Sequence, residues 1–319
     1  MLDRAVLEGP ELDPWPLEVA LVRAADLAVR RFRLLVSRPV AFGLQAALGG
    51  AMVAFGAMLA LATSAGIAVP GLANLISGGV FGFSLVIIMV SEVSLVTADM
   101  ALGILAVYHG RLRLRQYLGF VGASYVGNAL GSFCFMAIVA TAGGPYWTAP
   151  ILIRAHALAA SKMGMPDFST FLLGILCTWL LQTAMILYLK ARTDIGKMLL
   201  AYYGPLAFVA GMTEHSIANI GFLALPLLTQ PLFTPVTHLA LTASGPTAWL
   251  HWGFGRYGWA HDQLFTLLGN FVGGTLFVAT AFQWAADPER LRALYQGRAR
   301  RATGKARSAG LRVDTGGTL

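Results

Sequence analysis

Long apolar runs dominate the chain and are separated by short polar segments. Because a transmembrane helix needs roughly 20 mainly apolar residues, the runs predict spans near residues 40–66, 79–108, 118–142, 167–189, 198–229 and 263–286. Ahead of them, residues 17–37 alternate apolar positions with arginines, a pattern typical of an amphipathic helix lying on a membrane face. The pattern predicts an all-α membrane protein in three parts: an amphipathic N-terminal segment (1–39), a six-helix transmembrane domain (40–286) and a basic tail (287–319).

The composition supports a membrane protein. Hydrophobic residues make up 57% of the chain and charged residues only 12%, against about 25% charged in ordinary globular domains. This balance excludes soluble folds and most hydrolytic enzymes, and we expect no enzyme activity. Cys134 and Cys177 fall inside apolar runs, so we expect neither a disulfide nor a metal site there, and nothing in the sequence indicates a cofactor.

The basic residues predict the orientation in the membrane. The connections between spans two and three and between spans four and five are basic, with Arg111, Arg113, Arg115, Lys190, Arg192 and Lys197. The long connections near 143–166 and 230–262 carry only Arg154, Lys162 and Arg256. Since basic loops stay on the cytoplasmic side, we expect an inner (cytoplasmic) membrane protein with both termini in the cytoplasm. The net charge of +8 then marks the cytoplasmic side and not a nucleic-acid site.

Two spans are irregular in composition. Glycines and prolines precede the second span and interrupt the fifth: Gly66, Pro70, Gly71, Gly78, Gly79, Gly204, Pro205 and Gly211. We therefore expect non-helical backbone at membrane depth in both regions, with the second and fifth helices broken. The second span also contains Glu92 and Asp99, and the fifth contains Glu214 and His215. A charge at the bilayer centre costs at least about 2.5 kcal/mol on insertion scales, so such residues face a cavity or a partner.

The two irregular spans resemble each other. Residues 92–97 read E-V-S-L-V-T and residues 214–219 read E-H-S-I-A-N, while G-N-A-L-G at 127–131 matches G-N-F-V-G at 269–273. The match pairs the two glutamates, and it pairs the threonine that ends the first stretch with the asparagine that ends the second. Three spans repeated after three spans have opposite orientations, which predicts two inverted repeats with a binding site at the midplane. The glycine motifs allow close helix contact, within the chain or between protomers.

His215 is the central candidate for chemistry. A neutral imidazole offers one donor and one acceptor, enough to hydrogen-bond an anion or to pass it a proton. Glu214 is either a proton relay or a structural acceptor at the interrupted helix. Positive helix ends favour anions, and unpaired carboxylates on the same route would oppose them. We therefore expect Glu92 and Glu214 to point away from the path.

The segment M-T-E-H-S-I-A-N at 212–219 resembles the formate/nitrite transporter family, and the similarity extends from about residue 40 to 286. G-I-L at 174–176 and the two G-N-x-x-G motifs add support. The resemblance implies an aquaporin-like six-helix protomer, a homopentamer with one pore per protomer, and small monovalent weak-acid anions and protons as partners in a lipid bilayer.

The resemblance also implies roles for individual residues. His215 corresponds to the central histidine, flanked by Glu214 and Asn219, and Thr97 to the threonine that faces it. Further correspondences are two constriction phenylalanines, two apolar gate residues and a lysine of the outer vestibule: Phe81, Phe208, Leu85, Leu95 and Lys162.

Three positions depart from the family pattern. Ser94 stands where an acidic residue is common, with Glu92 two positions earlier; Val96 replaces a phenylalanine of the constriction, and Thr178 an asparagine. These departures leave the subtype open.

The sequence thus predicts a channel or transporter for formate-class or nitrite-class anions, proton-linked through His215. Hydrosulfide, acetate and lactate remain alternative substrates, and His215 either relays a proton or only hydrogen-bonds the anion. A haem-binding oxidoreductase subunit is the alternative from another class. Haem would need two intramembrane histidines, or one with a methionine or cysteine, and only His215 lies deep in a predicted span. A neutral-solute channel usually carries paired Asn-Pro-Ala motifs, and the sequence has none.

Overall fold

The computed structural model describes residues 13–292. The first acidic residues of the chain and most of the predicted basic tail lie outside this range. Ten helices follow one another in the described part: α1 Leu17–Ser37, α2 Pro39–Ser64, α3 Pro70–Val90, α4 Val96–Tyr108, α5 Leu114–Ala142, α6 Ala149–Met163, α7 Asp167–Lys190, α8 Asp194–Ala210, α9 Ser216–Thr237 and α10 Trp259–Ala286. A 3₁₀ turn, Gly144–Trp147, precedes α6, and the segment Gly273–Thr280 of α10 is π-helical.

Six helices of the described range are long and apolar enough to cross a membrane, namely α2, α3, α5, α7, α9 and α10. The shorter helices α4 and α8 have 13 and 17 residues and are separated from α3 and α9 by a few non-helical residues. Together, α3 with α4 and α8 with α9 form the two broken spans. The prediction of an all-helical, multi-pass membrane protein is confirmed.

The first break lies further along the chain than predicted. The glycine- and proline-rich stretch before residue 80 belongs to α3, which begins at Pro70, a position that needs no backbone N–H. Gly78 lets α3 approach α8, since a Cβ there would lie 2.6 Å from the Leu206 carbonyl oxygen. The breaks span residues 91–95 and 211–215, where Glu92 and Met212 both have a φ of 55°.

The helices pack most closely where glycines face a neighbouring backbone. A side chain at Gly131 would collide with the backbone of Ala47 on α2, and one at Gly273 would lie 2.5 Å from the Ile175 carbonyl oxygen on α7. Both G-N-x-x-G motifs therefore make close helix contacts within the chain, α5 against α2 and α10 against α7.

Helix α1 covers one end of the bundle. Its apolar face, which includes Leu21, Ala24, Ala25 and Ala28, is buried and packs against helices of the bundle, α4 above all. The sequence predicts that the apolar face of this helix lies on the membrane, whereas much of that face packs against other helices of the protein. We call this the α1 end of the bundle and the opposite end, where α6 lies, the α6 end.

Candidate functional site

The two breaks are each held by one asparagine. At the first break, the Asn128 amide nitrogen donates to the carbonyl oxygens of Ala46 (2.7 Å) and Ser94 (2.9 Å). The Asn128 side-chain oxygen accepts the N–H of Val96 at 2.7 Å. Breaking a helix at membrane depth exposes backbone groups that no water can satisfy. The Asn128 amide serves two of them, the Ser94 carbonyl and the Val96 N–H, and also ties the break to Ala46 of α2.

Asn270 serves the second break in the same way. Its amide nitrogen donates to the carbonyl oxygens of Gly174 (2.9 Å) and Glu214 (2.8 Å), and its side-chain oxygen accepts the N–H of Ser216 at 2.8 Å. The sequence singled out the glycines of these motifs for helix contact and missed the asparagines. Their shared position in two repeated motifs was the available signal.

These hydrogen bonds show which residues of the two breaks correspond: the N–H groups of Val96 and Ser216 each donate to the side-chain oxygen of the asparagine at their break. The correspondence is shifted by two residues from the predicted one. Leu95 and His215 are the residues that immediately precede α4 and α9, so Glu92 matches Met212 and not Glu214. Asn219 matches Asp99, and the predicted pairing of Thr97 with Asn219 was wrong. The identical glutamates shifted the sequence alignment.

His215 and Thr97 meet where the two breaks approach each other. The Ala218 N–H donates to Nδ1 of His215 at 3.1 Å, which makes Nδ1 an acceptor without a proton. The proton of the neutral ring is therefore on Nε2, assigned by this hydrogen bond, and Nε2 donates to the Thr97 hydroxyl at 3.0 Å. His215 is thus a helix cap as well as a pathway candidate, and its ring stacks on Phe208 with centroids 5.2 Å apart.

An aromatic layer of three phenylalanines adjoins the ring through Phe208. The centroid of Phe81 lies 5.6 Å from that of Phe208 and 5.8 Å from that of Phe222. All three side chains are buried. The resemblance implied the first two, but Phe222 of α9 was not among the candidates because nothing distinguishes it in an apolar run.

A small central cavity lies on one side of this layer and has a volume of about 10 Å³. Its walls are mainly apolar and include the two predicted gate residues, Leu85 and Leu95, with Ile88 between them. Ser84 and His215 are the polar residues of its lining, and the Ser84 hydroxyl donates to the Phe81 carbonyl within its own helix. The space is large enough for about one water molecule. Because its walls are mainly apolar, we call it the dry waist.

A larger cavity, about 60 Å³, opens toward the α6 end, and we call it the Lys162 cavity. Its lining includes His215, Phe208 and Phe222, so the ring and the aromatic layer separate it from the central cavity. Lys162 extends its ammonium group to both carboxylate oxygens of Glu214 at 2.9 Å. The lysine that the resemblance assigned to vestibule charge is therefore paired, and Glu214 contacts that lysine at the cavity wall.

Arg154 supplies the unpaired positive charge of the Lys162 cavity. Its guanidinium donates to the hydroxyl of Ser64 (3.1 Å) and to the side-chain oxygen of Asn74 (3.2 Å), both neutral acceptors. Sequence reasoning used Arg154 only to orient the chain. Its signal was that it is one of few basic residues in the two long connections.

Asn219 connects the Lys162–Glu214 pair to a second carboxylate. The Asn219 amide nitrogen donates to Glu214 at 2.6 Å and to Asp262 of α10 at 3.0 Å. The predicted flanking role of Asn219 is thus a bridge between two acids that are 1% and 2% exposed. Asp262 was not a sequence candidate, because it lies outside the repeated motifs.

A matching ion pair lies toward the α1 end. Arg31 of α1 donates to Asp99 at 2.6 Å and to the Val93 carbonyl oxygen at 2.8 Å, and both charged side chains are buried. The hydroxyls of Ser94 and Ser124 donate to the other Asp99 oxygen at 2.5 and 2.6 Å. Ser94, the departure from the family pattern, is therefore a hydrogen-bond donor to the buried Asp99 carboxylate, which lies five residues after the expected acidic position.

The remaining candidates lie outside the waist. Glu92 is exposed and borders a cavity of about 430 Å³ at the α1 end. Val96 is fully buried in the first turn of α4 and lines neither the Lys162 cavity nor the central cavity. The Thr178 hydroxyl lies 3.0 Å from the Asn270 carbonyl oxygen and 3.1 Å from that of Gly174, so it ties α7 to α10.

Comparison with known proteins identifies the fold. The nitrite transporter NirC of Salmonella typhimurium is 27% identical over 271 residues, which cover 84% of this chain and 91% of that protein. A probable formate transporter of Methanothermobacter thermautotrophicus is 25% identical over 253 residues, covering 74% of this chain and 85% of that protein.

Two solved structures share the architecture. An FNT family ion channel superposes with a TM-score of 0.71 at 24% identity, covering 83% of this chain and 98% of that one. A pentameric formate channel with formate bound gives 0.63 at 20% identity, covering 77% and 96%. The sequence model of the formate/nitrite transporter family matches residues 19–284. The chain therefore belongs to the formate/nitrite transporter family, whose matched relatives are transporters and channels and not enzymes.

Proposed function

We propose that this channel conducts small monovalent anions of weak acids, of the nitrite and formate class, along a path from the Lys162 cavity through the central cavity to the α1 end. One observation carries the proposal: His215 lines both cavities, with the phenylalanine layer between them. A single imidazole at a dry waist is suited to a small solute that must lose its water there.

The charges near the entrance support an anion as the solute. Arg154 lines the Lys162 cavity, and among the described residues its guanidinium donates only to neutral acceptors, so its field is available to a ligand. A cleft with one sign of charge and low-dielectric walls raises the local concentration of the opposite ion. Cations are disfavoured by the same field.

The waist supports proton linkage. Dehydration strongly disfavours a bare anion, so a weak-acid anion that takes up a proton crosses more easily as the neutral acid. His215 holds a proton on Nε2 beside Thr97, and we assign it as the donor. A neutral ring that lost the Nε2 proton would become an imidazolate, so Nδ1 must take up a proton before or as Nε2 gives its own to the anion. Because Nδ1 accepts the Ala218 N–H, this uptake requires release of that backbone group, which ties each relay step to the first turn of α9.

The assembly and orientation follow from the relatives and from the charge pattern. A related solved channel is described as pentameric, and we propose a homopentamer with one path per protomer. Basic side chains cluster at the α1 end, among them Arg111, Arg113, Lys190 and Lys197. By the positive-inside rule, the α1 end and both termini lie in the cytoplasm, with the protein in the inner membrane.

The direct test is uptake by proteoliposomes. Purified protein is reconstituted, and uptake of labelled formate is measured against a competition panel of nitrite, hydrosulfide, acetate and lactate at two outside pH values. We expect nitrite to compete more strongly than acetate and lactate, because the waist admits little more than one water molecule, and we expect protons to enter with the anion. Uptake no faster than in empty liposomes would overturn the proposal.

Replacing Arg154 by glutamine tests anion capture. We expect the KM for anion uptake to rise about tenfold at low salt, because the steering field is lost, while the maximal rate changes little. The difference from wild type should shrink at high salt, where the charge is screened. Arg256 lies at the α6 end outside the Lys162 cavity, so Arg256→Gln is the matched control, and an equal effect of both variants would contradict the assignment.

A further inference from the structure

Asp262 is a buried acid for which the proposed path gives no role. Its side chain is 2% exposed. One carboxylate oxygen accepts from the amide nitrogens of Asn219 (3.0 Å) and Gln263 (3.4 Å), while the other, Oδ1, is buried and has no hydrogen-bond partner among the described residues. A buried carboxylate oxygen without a donor is costly, and a proton on it removes the charge.

The surroundings contain fewer positive charges than negative ones. Lys162 of α6 is the one cation that contacts the cluster within the described residues, and it contacts Glu214 with both oxygens at 2.9 Å. With Glu214 and Asp262 both ionised, the cluster carries one net negative charge beside the entrance, which opposes an anion.

The other titratable groups near Asp262 do not supply a second cation to it. From α5, the Tyr125 hydroxyl donates to Gln263 at 3.4 Å. From α7, Asp167 is 2.7 Å from Nε2 of His261, at the exposed end of α10. Glu214, just before α9, and Asn219 of α9 are further polar neighbours, and neither carries a positive charge. Both oxygens of Glu214 contact Lys162, whereas one oxygen of Asp262 has no donor among the described residues, so we place the exchangeable proton of the acid pair on Asp262.

We propose that Asp262 binds a proton from the Lys162 cavity and thereby controls anion entry. With the proton bound, Lys162 and Glu214 balance and the cavity keeps the positive charge of Arg154. With the proton lost, the added negative charge offsets that of Arg154. Asp262 is therefore a regulating residue that acts through the field and does not contact the anion. The inference rests on the proposed function and adds an outside-pH dependence to it.

The test compares the pH profiles of two variants in proteoliposomes. The initial rate of formate uptake is measured as outside pH rises at a fixed concentration of the neutral acid, which removes the pH dependence of substrate speciation. We expect wild-type uptake to fall by about tenfold, as for one charge at an effective dielectric constant near 20, and Asp262→Asn to stay nearly flat. Asp167→Asn, a half-exposed acid bound to the same helix through His261, should keep the wild-type profile.

A spectroscopic measurement gives an independent readout on the unaltered protein. Infrared difference spectra of reconstituted wild type, recorded during a pH titration, should show the carbonyl stretch of a protonated carboxylic acid that disappears as pH rises and is absent in Asp262→Asn. No such titrating band in wild type, or superimposable uptake profiles of wild type and Asp262→Asn, would overturn the inference and leave the channel assignment intact. A wild-type protein that takes up no anion would instead overturn the proposed function and the entry role with it.

Discussion

Asn270→Ala is expected to abolish the stably folded protomer. The alanine leaves the Glu214 carbonyl and the Ser216 N–H without the Asn270 partner at the break, while the Gly174 carbonyl inside α7 keeps the Thr178 hydroxyl as a donor. Each orphaned buried group costs about 1–3 kcal/mol, so the two together cost about 2–6 kcal/mol, which reaches the lower part of the about 5–15 kcal/mol that stabilises a typical domain. The measurement is the yield of monodisperse protein in detergent, together with its thermal unfolding temperature.

Two further variants sharpen that result. Asn128→Ala removes the corresponding amide at the first break, and we expect a loss of similar size. Gln263→Ala removes a buried amide from the same helix as Asn270, but its hydrogen bonds are long and reach only side chains, so its unfolding temperature should fall much less. An Asn270→Ala protein as stable as the Gln263→Ala protein would contradict the role of Asn270 in stabilising the second break by hydrogen bonds.

His215→Phe and His215→Asn should separate the two roles of the histidine. Phenylalanine keeps a flat ring against Phe208 but has no acceptor for the Ala218 N–H and no donor for Thr97. We expect anion flux to fall about fivefold to hundredfold, the equivalent of a lost buried hydrogen bond of about 1–3 kcal/mol, and α9 to lose about 0.5–2 kcal/mol of capping. Flux is measured in proteoliposomes, with unfolding followed in parallel.

Asparagine keeps a side-chain oxygen that caps α9 but cannot relay a proton. We expect His215→Asn to retain more anion flux than His215→Phe while losing the proton that accompanies the anion, read from a pH-sensitive dye inside the liposomes. If both variants kept wild-type proton coupling, the relay role would be eliminated, and His215 would serve only as a hydrogen-bond donor.

The spans were predictable from the sequence because hydropathy depends on composition alone. The six apolar runs and the motif around His215 sufficed for the class of protein and the location of its centre. The position of the first break was not predictable in the same way. Gly78 serves close packing and Pro70 starts a helix, whereas the break turns at Glu92, which adopts a positive φ without being glycine.

The electrostatics of the site also escaped sequence reasoning. Whether a charge is free depends on which partners the fold brings to it, and these partners come from distant parts of the chain. Lys162 is neutralised by Glu214, 52 residues away, and Arg31 is neutralised by Asp99, 68 residues away. Within residues 13–292, Arg154 has no carboxylate partner because its acceptors are Ser64 and Asn74. Residue type alone pointed to the lysine and passed over the arginine.

The contact of Arg31 with Asp99 extends the membrane domain toward the N-terminus to include α1. Hydropathy begins the domain at residue 40, but a protein truncated there would leave the Asp99 carboxylate inside the bilayer with two hydroxyls and no guanidinium. The Val93 carbonyl would lose its donor as well. Helix α1 is therefore an integral part of the membrane domain, although it is not among the six described helices long and apolar enough to cross a membrane. A protein expressed or crystallised without α1 would lack the Arg31–Asp99 ion pair.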